Sequence, residues 1–187
     1  MSIRRPLSAA QNPHGCKNTR LETSTASAQG NLRPDIVAHL SRYSRGAQLL
    51  VEEARRLRRP LRVLELGCGE LHVARVLNKA YQVRKATVVA RYDALDLDPA
   101  VLRTRDEFPS MFKTLNLHLH LQDLTTHPRP PVPGGSVDVA ISTEGVEHMP
   151  PEFVEPWLRE TAAAMRPGAV FMLSTPNADG SNEALPL

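Results

Sequence analysis

Three acidic residues stand where apolar runs come to an end. They are Glu65 in Arg62-Val-Leu-Glu-Leu66, Asp96 in Tyr92-Asp-Ala-Leu-Asp-Leu97, and Asp123 just after Asn116–Leu121. A carboxylate in such a place accepts hydrogen bonds and donates none while ionised. Glu65 can receive a ligand's ammonium, directly or through water. Asp96 can receive both hydroxyls of a ribose, and Asp123 an adenine amino group. Between the first two lies Gly67-Cys68-Gly69, a tight turn whose backbone lets a ligand come close. A Gly-x-Gly pair alone is a weak sign, because many turns need glycine for steric reasons. The longer dinucleotide pattern Gly-x-Gly-x-x-Gly is absent, with His72 in place of its third glycine, which argues against NAD and FAD.

A second set follows at Thr143-Glu144-Gly-Val-Glu147-His148. Two carboxylates three residues apart, with an adjacent imidazole, can share one face of a turn. Such a set suits a hard cation, Mg²⁺ or Mn²⁺, the imidazole favouring the latter. The alternative is that these side chains cap a loop and bind water.

These residues need elements to position them. Pro34-Asp35 opens a helix, proline suiting the first turn and the acid its dipole. Ile36, Leu40, Tyr43, Ala47, Leu50, Ala54 and Leu57 then recur at spacings of three and four, and Pro60 ends the stripe. The run 62–66 reads as a buried strand, and the glycine turn leads into a helix that buries Val73, Val76, Leu77 and Ala80. Residues 92–97 form a second strand, Pro99 starts another helix, and 116–121 alternate as a third strand. His127–Gly135 is a loop of turn formers. A fourth strand spans 137–142. A helix over 152–165 turns Phe153, Trp157, Leu158, Ala162 and Met165 inward, which requires Pro156 to fall in its first turn. Arg166-Pro-Gly168 then turns the chain into a fifth strand, 169–174. Strands alternating with helices predict an α/β fold, a mostly parallel sheet with helices on both faces.

The chain has 187 residues and 41% apolar content, enough for one domain with a core. Residues 1–30, polar and without periodicity, read as a disordered tail ahead of a domain over 31–187. No apolar run approaches the roughly 18–20 residues of a membrane span, so no membrane partner is expected. Cys16 and Cys68 lie far apart in unlike surroundings, which predicts free thiols and a cytoplasmic location. Arg55, Arg56, Arg58, Arg59 and Arg62, with Arg42 and Arg45 upstream, make a basic cluster. It reads either as a solvated helix end or as a place for nucleic-acid phosphates.

Val63–Gly69, Leu95–Pro99 and Arg166–Val170 resemble the successive motifs of class I S-adenosylmethionine (SAM)-dependent methyltransferases, over roughly residues 35–177. The resemblance implies a Rossmann-like sheet binding SAM along the ends of its first, second and fourth strands. Glu65, Gly67, Cys68, Gly69, Asp96, Asp123 and Thr143 would be the contacts. Glu144-x-x-Glu147-His148 followed by Ser174-Thr-Pro-Asn177 and Asn182 is similar to the small-RNA 3′-terminal 2′-O-methyltransferase family. That resemblance implies Glu144, Glu147 and His148 as ligands of Mg²⁺ or Mn²⁺, with Glu147 and His148 at the chemistry. A further histidine ligand and the remaining strands would lie beyond Leu187. The implied substrate is the 3′ end of a small RNA, with a small-RNA-binding protein as partner. Quinone-biosynthesis O-methyltransferases carry a similar stretch, so a small-molecule O-methyltransferase is an alternative. A protein or other nucleic-acid methyltransferase, or an inactive binding module, is another.

Overall fold

The structure is a computed structural model that describes residues 34–84 and 88–176. The expected tail, Cys16, Asn177 and Asn182 lie outside the described residues. Five strands form one parallel sheet: β1 (Leu61–Leu66), β2 (Val89–Asp96), β3 (Leu117–Leu121), β4 (Val137–Thr143) and β5 (Met165–Ser174). Their order is β3-β2-β1-β4-β5, so the chain winds outward from β1 in both directions and the switch point lies between β1 and β4.

Alternation along the strands makes two cores. Val63, Tyr92, Ala94, Val139 and Ile141 face one side, packed under α1 (Pro34–Leu57), α2 (His72–Arg84) and the short α4 (Pro109–Thr114). Leu64, Leu66, Leu95 and Ala140 face the other, against Trp157 and Ala164 of α5 (Pro151–Ala164). Helices therefore cover both faces, as the sequence predicts. Gly46 lets α1 lie close on α2, since a Cβ there would meet Val73 at 3.2 Å.

Several local expectations change. β2 starts three residues earlier than read, at Val89. The helix expected after Pro99 divides into a 3-10 turn (Pro99–Arg103), α3 (Thr104–Glu107) and α4. Pro109 is the break, because the residue before a proline avoids helical geometry and Phe108 sits at φ −130°. Leu40 and Ala80, expected on the buried faces of α1 and α2, are exposed. Pro156 lies at the sixth position of α5, beyond the first turn. The buried face of α5 runs Trp157, Thr161 and Ala164, and Leu158 and Ala162 face outward. The turn expected at Arg166–Gly168 is a bulge inside β5. Val137 pairs with Met165 and Val139 with Val170, so the intervening residues loop out with Gly168 at φ +78°.

Arg58 ends α1 at φ +53°, with Arg59 N–H donating to Ala54 C=O and Arg58 N–H to Arg55 C=O. This is the Schellman closure, made with an arginine where glycine is favoured. Among the described residues no helix is long and apolar enough to cross a membrane.

Candidate functional site

The carboxyl ends of β1, β2, β3 and β4 gather most of the chemistry-bearing residues. At the end of β1 the chain turns sharply, and both Gly67 and Cys68 N–H donate to Leu95 C=O at 2.9 Å. Gly67 and Gly69 take φ of +68° and +47°, the left-handed region that glycine enters without strain. Leu71 follows at φ +59° although it is fully buried. The turn thus uses three left-handed residues at alternate positions, a repeat hidden in the sequence because the third is leucine. The conformation costs Leu71 on the order of 1–2 kcal/mol, which its place in the apolar core offsets.

Glu65 points from β1 into the α1–α2 side of the sheet and is fully buried. Tyr92 on β2, equally buried, donates its hydroxyl to Glu65 Oε2 at 2.8 Å. Burial pushes the Glu65 carboxyl up to about 8, against the hydrogen bond from Tyr92 and with help from the nearby Asp96 charge. Cys68 is a buried free thiol, pushed up by burial and then by the Glu65 and Asp96 charges, so it is no nucleophile.

Asp96 closes β2 and accepts from Gly69 N–H at 2.7 Å and Asp98 N–H at 2.9 Å. One carboxylate thus ties the glycine turn to the end of β2, and each oxygen keeps lone-pair capacity for a further donor. Asp123 follows β3, whose next residue Gln122 donates its N–H to Asp96 C=O at 2.8 Å. Its Oδ1 accepts from Thr125 N–H and Oγ1 at 2.8 and 2.7 Å. These bonds, the Thr125 side chain first, hold its carboxyl below the ordinary range. Thr143 is buried at the end of β4, paired with Ser174 of β5. Glu65, Gly67, Cys68, Gly69, Asp96, Asp123 and Thr143 therefore all lie at one end of the sheet.

The expected metal set is not brought together. Glu144 takes φ +56°, and its carboxylate is occupied by α1: Arg42 Nη1 pairs with Oε1, and His39 Nδ1 lies 2.7 Å from Oε2. A guanidinium on a carboxylate fills the place a cation would take. Glu147 and His148 stand exposed in a 3-10 turn. Among the described residues no group of three His, Cys, Asp or Glu side chains converges on one point. The arrangement does not fit Mg²⁺ or Mn²⁺.

His39, Arg42 and Tyr43 of α1 are the site residues that sequence reasoning missed. Tyr43 stacks on His72, ring centroids 4.6 Å apart, and its hydroxyl is pushed up to about 12 by burial and then by Glu144. Burial, with Arg75 next, lowers His72. Together they lay the first half of α1 across the glycine turn and the loop after β4. The polar His39 and Arg42 beside Tyr43 of the apolar stripe were the available signal.

The arginine cluster from Arg55 to Arg62 lies at the opposite end of the sheet, whereas Arg42 sits on Glu144. Arg59 clamps the buried Asp138 at 2.5 and 3.0 Å, and Arg62 N–H donates to the same carboxylate at 2.8 Å. Arg56 pairs with Glu53, and Arg45 with Glu52. Arg62 is five residues from Gly67, about 16 Å along β1. Most of these arginines hold structure, and all from Arg55 onward are remote from the glycine turn.

Comparison with known proteins gives a consistent picture. A family profile described as a methyltransferase domain matches residues 38–186. A probable SAM-dependent methyltransferase of Mycolicibacterium smegmatis is 35% identical over 118 residues, covering 62% of this chain and 38% of that protein. One of Mycobacterium tuberculosis is 31% identical over 116 residues, 62% of this chain and 35% of its own. The chain thus spans less than two-fifths of the length of these relatives. Among solved structures, the methyltransferase CalH in complex with S-adenosylhomocysteine (SAH) superposes with a TM-score of 0.55 at 18% identity, over 74% of this chain and 40% of that one. Coclaurine N-methyltransferase bound to N-methylheliamine and SAH gives 0.53 at 22% identity, over 79% and 38%. With the profile spanning most of its length, a glycine turn at the switch point and this strand order, the chain belongs to the SAM-dependent methyltransferase domain family.

Proposed function

We propose that this chain binds SAM at the carboxyl ends of its central strands and transfers the methyl group to a nucleophile on a small acceptor, without a metal ion. The observation that carries the reading is the joint placement of a buried Glu65 under the glycine turn and Asp96 bonded to Gly69 N–H. SAM supplies the reactive methyl on a sulfonium centre. The chain's residues bind and orient: Glu65 accepts the ammonium, Asp96 the ribose hydroxyls, and Asp123 the adenine amino group. Thr143 and the backbone of Gly67, Cys68 and Gly69 line the path between them. His148 and Glu147, exposed beside this end of the sheet, and His39, held on Glu144, are the groups able to take a proton from an acceptor hydroxyl.

Calorimetric titration with SAH tests the first part. Micromolar binding is expected, and Asp96→Ala should weaken it at least tenfold. Absence of binding to the intact chain would overturn the proposal.

The pattern Glu144-x-x-Glu147-His148 favours a second reading, the terminal ribose of a small RNA as acceptor, with a small-RNA-binding protein delivering it. Labelled SAM offered with short RNAs ending in a 2′-hydroxyl or a 2′-deoxy sugar, and with small phenols, separates the two. Label entering only the 2′-hydroxyl RNA would replace the first reading with the second.

A further inference from the structure

Tyr92 sits in the middle of β2, opposite Val63 of β1 and on the same side of the sheet as Glu65. A phenylalanine would fill that space equally well. A buried hydroxyl is costly unless bonded, and this one is spent wholly on Glu65, at 2.8 Å. The titratable groups facing Glu65 are Tyr92 from β2, Cys68 from the glycine turn, Asp96 at the end of β2 and Tyr43 from α1. None of them is a cation. A buried carboxyl with anions and neutral donors around it lacks the positive partner that such a group needs.

We propose that Tyr92 is a positioning residue for the methyl donor, its hydroxyl fixing the Glu65 carboxylate to receive the donor's ammonium as the missing cation. The inference rests on the SAM-binding reading above. Before binding, Glu65 is protonated at neutral pH, burial having pushed it up to about 8. Binding forms the carboxylate–ammonium pair, and the carboxyl proton passes to solvent. The Tyr92 hydrogen bond favours the ionised form, so its loss demands a higher pH for the same affinity.

SAH titrations of the full chain from pH 6 to 8 test this. In the unmodified chain, affinity should rise close to tenfold from pH 6 to 7 and less steeply towards 8, and paired buffers of different ionisation enthalpy should show release of nearly one proton at pH 6 to 7, falling to about half at pH 8. Tyr92→Phe should weaken binding about tenfold at pH 7 and move the profile up about one pH unit, the worth of one hydrogen bond to a charged acceptor. In a Glu65→Gln background the same change should have no effect. An equal, pH-independent loss in both backgrounds would reduce Tyr92 to packing and overturn the inference alone. Binding without proton release would overturn it too, even if Tyr92→Phe failed to fold. No SAH binding by the unmodified chain would sink the SAM-binding reading and this inference with it.

Discussion

Replacing Glu65 by glutamine should make the free protein more stable, by an amount that depends on pH. Glu65 is fully buried, and its carboxyl is raised from the ordinary 4.5 to about 8. The folded state therefore holds a proton that the unfolded chain releases above pH 4.5. A raised carboxyl contributes stability that is complete below 4.5 and declines as pH rises, until the folded group ionises near 8. At 1.36 kcal/mol per unit, the loss reaches about 3 kcal/mol at pH 7 and about 5 kcal/mol above pH 8. Glutamine keeps the shape and an acceptor for Tyr92 but does not titrate. The stability difference between Glu65→Gln and the unmodified chain should grow from pH 4.5 to 8 and then level off. Urea unfolding at pH 5, 7 and 8.5 measures it. A difference that stays constant across the three pH values, or an unmodified chain that is the more stable at pH 8.5, would refute the reasoning. The same variant should lose SAH affinity, since stability and binding make opposite demands on a buried carboxylate.

Three further outcomes follow from the geometry. Asp138 is wholly buried; burial works against its charge, but Arg59, the Arg62 N–H and Arg166 outweigh this and lower its carboxyl. Asp138→Ala should cost about 3 kcal/mol in chemical denaturation by leaving Arg59 without its partner, and the native pair's contribution should fade only as pH falls below 3.8. Arg58→Gly, at φ +53°, should raise stability by about 1 kcal/mol, read as a Tm increase of a few degrees. Treatment with EDTA should change neither SAH affinity nor Tm, because Arg42 and His39 already occupy Glu144. A Mn²⁺-dependent rise in Tm would contradict that.

The sequence made the sheet legible because each strand is a short apolar run bounded by glycine, proline or a charge, and each run meets a helix with its own apolar stripe. Glu65, Asp96 and Asp123 were legible as residues that would gather at one end of the sheet, because each stands at or just past the end of an apolar run. The metal set was not legible as what it is. Spacing of Glu144, Glu147 and His148 says only that three side chains are near in sequence. It cannot say that Arg42, 102 residues earlier, will claim one of them. The arginine cluster left two readings open for a similar reason, since Asp138, 79 residues beyond Arg59, lies in an apolar strand and shows its need for cations only once β4 is placed beside β1. Tyr92 and Leu71 were hidden because each is apolar enough to pass for core, which in part it is.

The two ends of the sheet carry opposite electrical character. At the amino ends, the Arg59 and Arg166 guanidiniums and the Arg62 N–H surround the buried carboxylate of Asp138. At the carboxyl ends, Glu65, Asp96 and Asp123 are bonded to hydroxyls and backbone N–H groups, and the nearby Arg42 and Arg75 are paired with Glu144 and Glu70. A field of that sign discriminates between the donor before and after reaction. On the SAM-binding proposal the donor would arrive with a sulfonium charge and depart as a neutral thioether, so Asp96 and Asp123 would lose part of their hold once the methyl has gone. Turnover would then carry its own means of shedding product, and added salt should narrow the affinity gap between SAM and SAH.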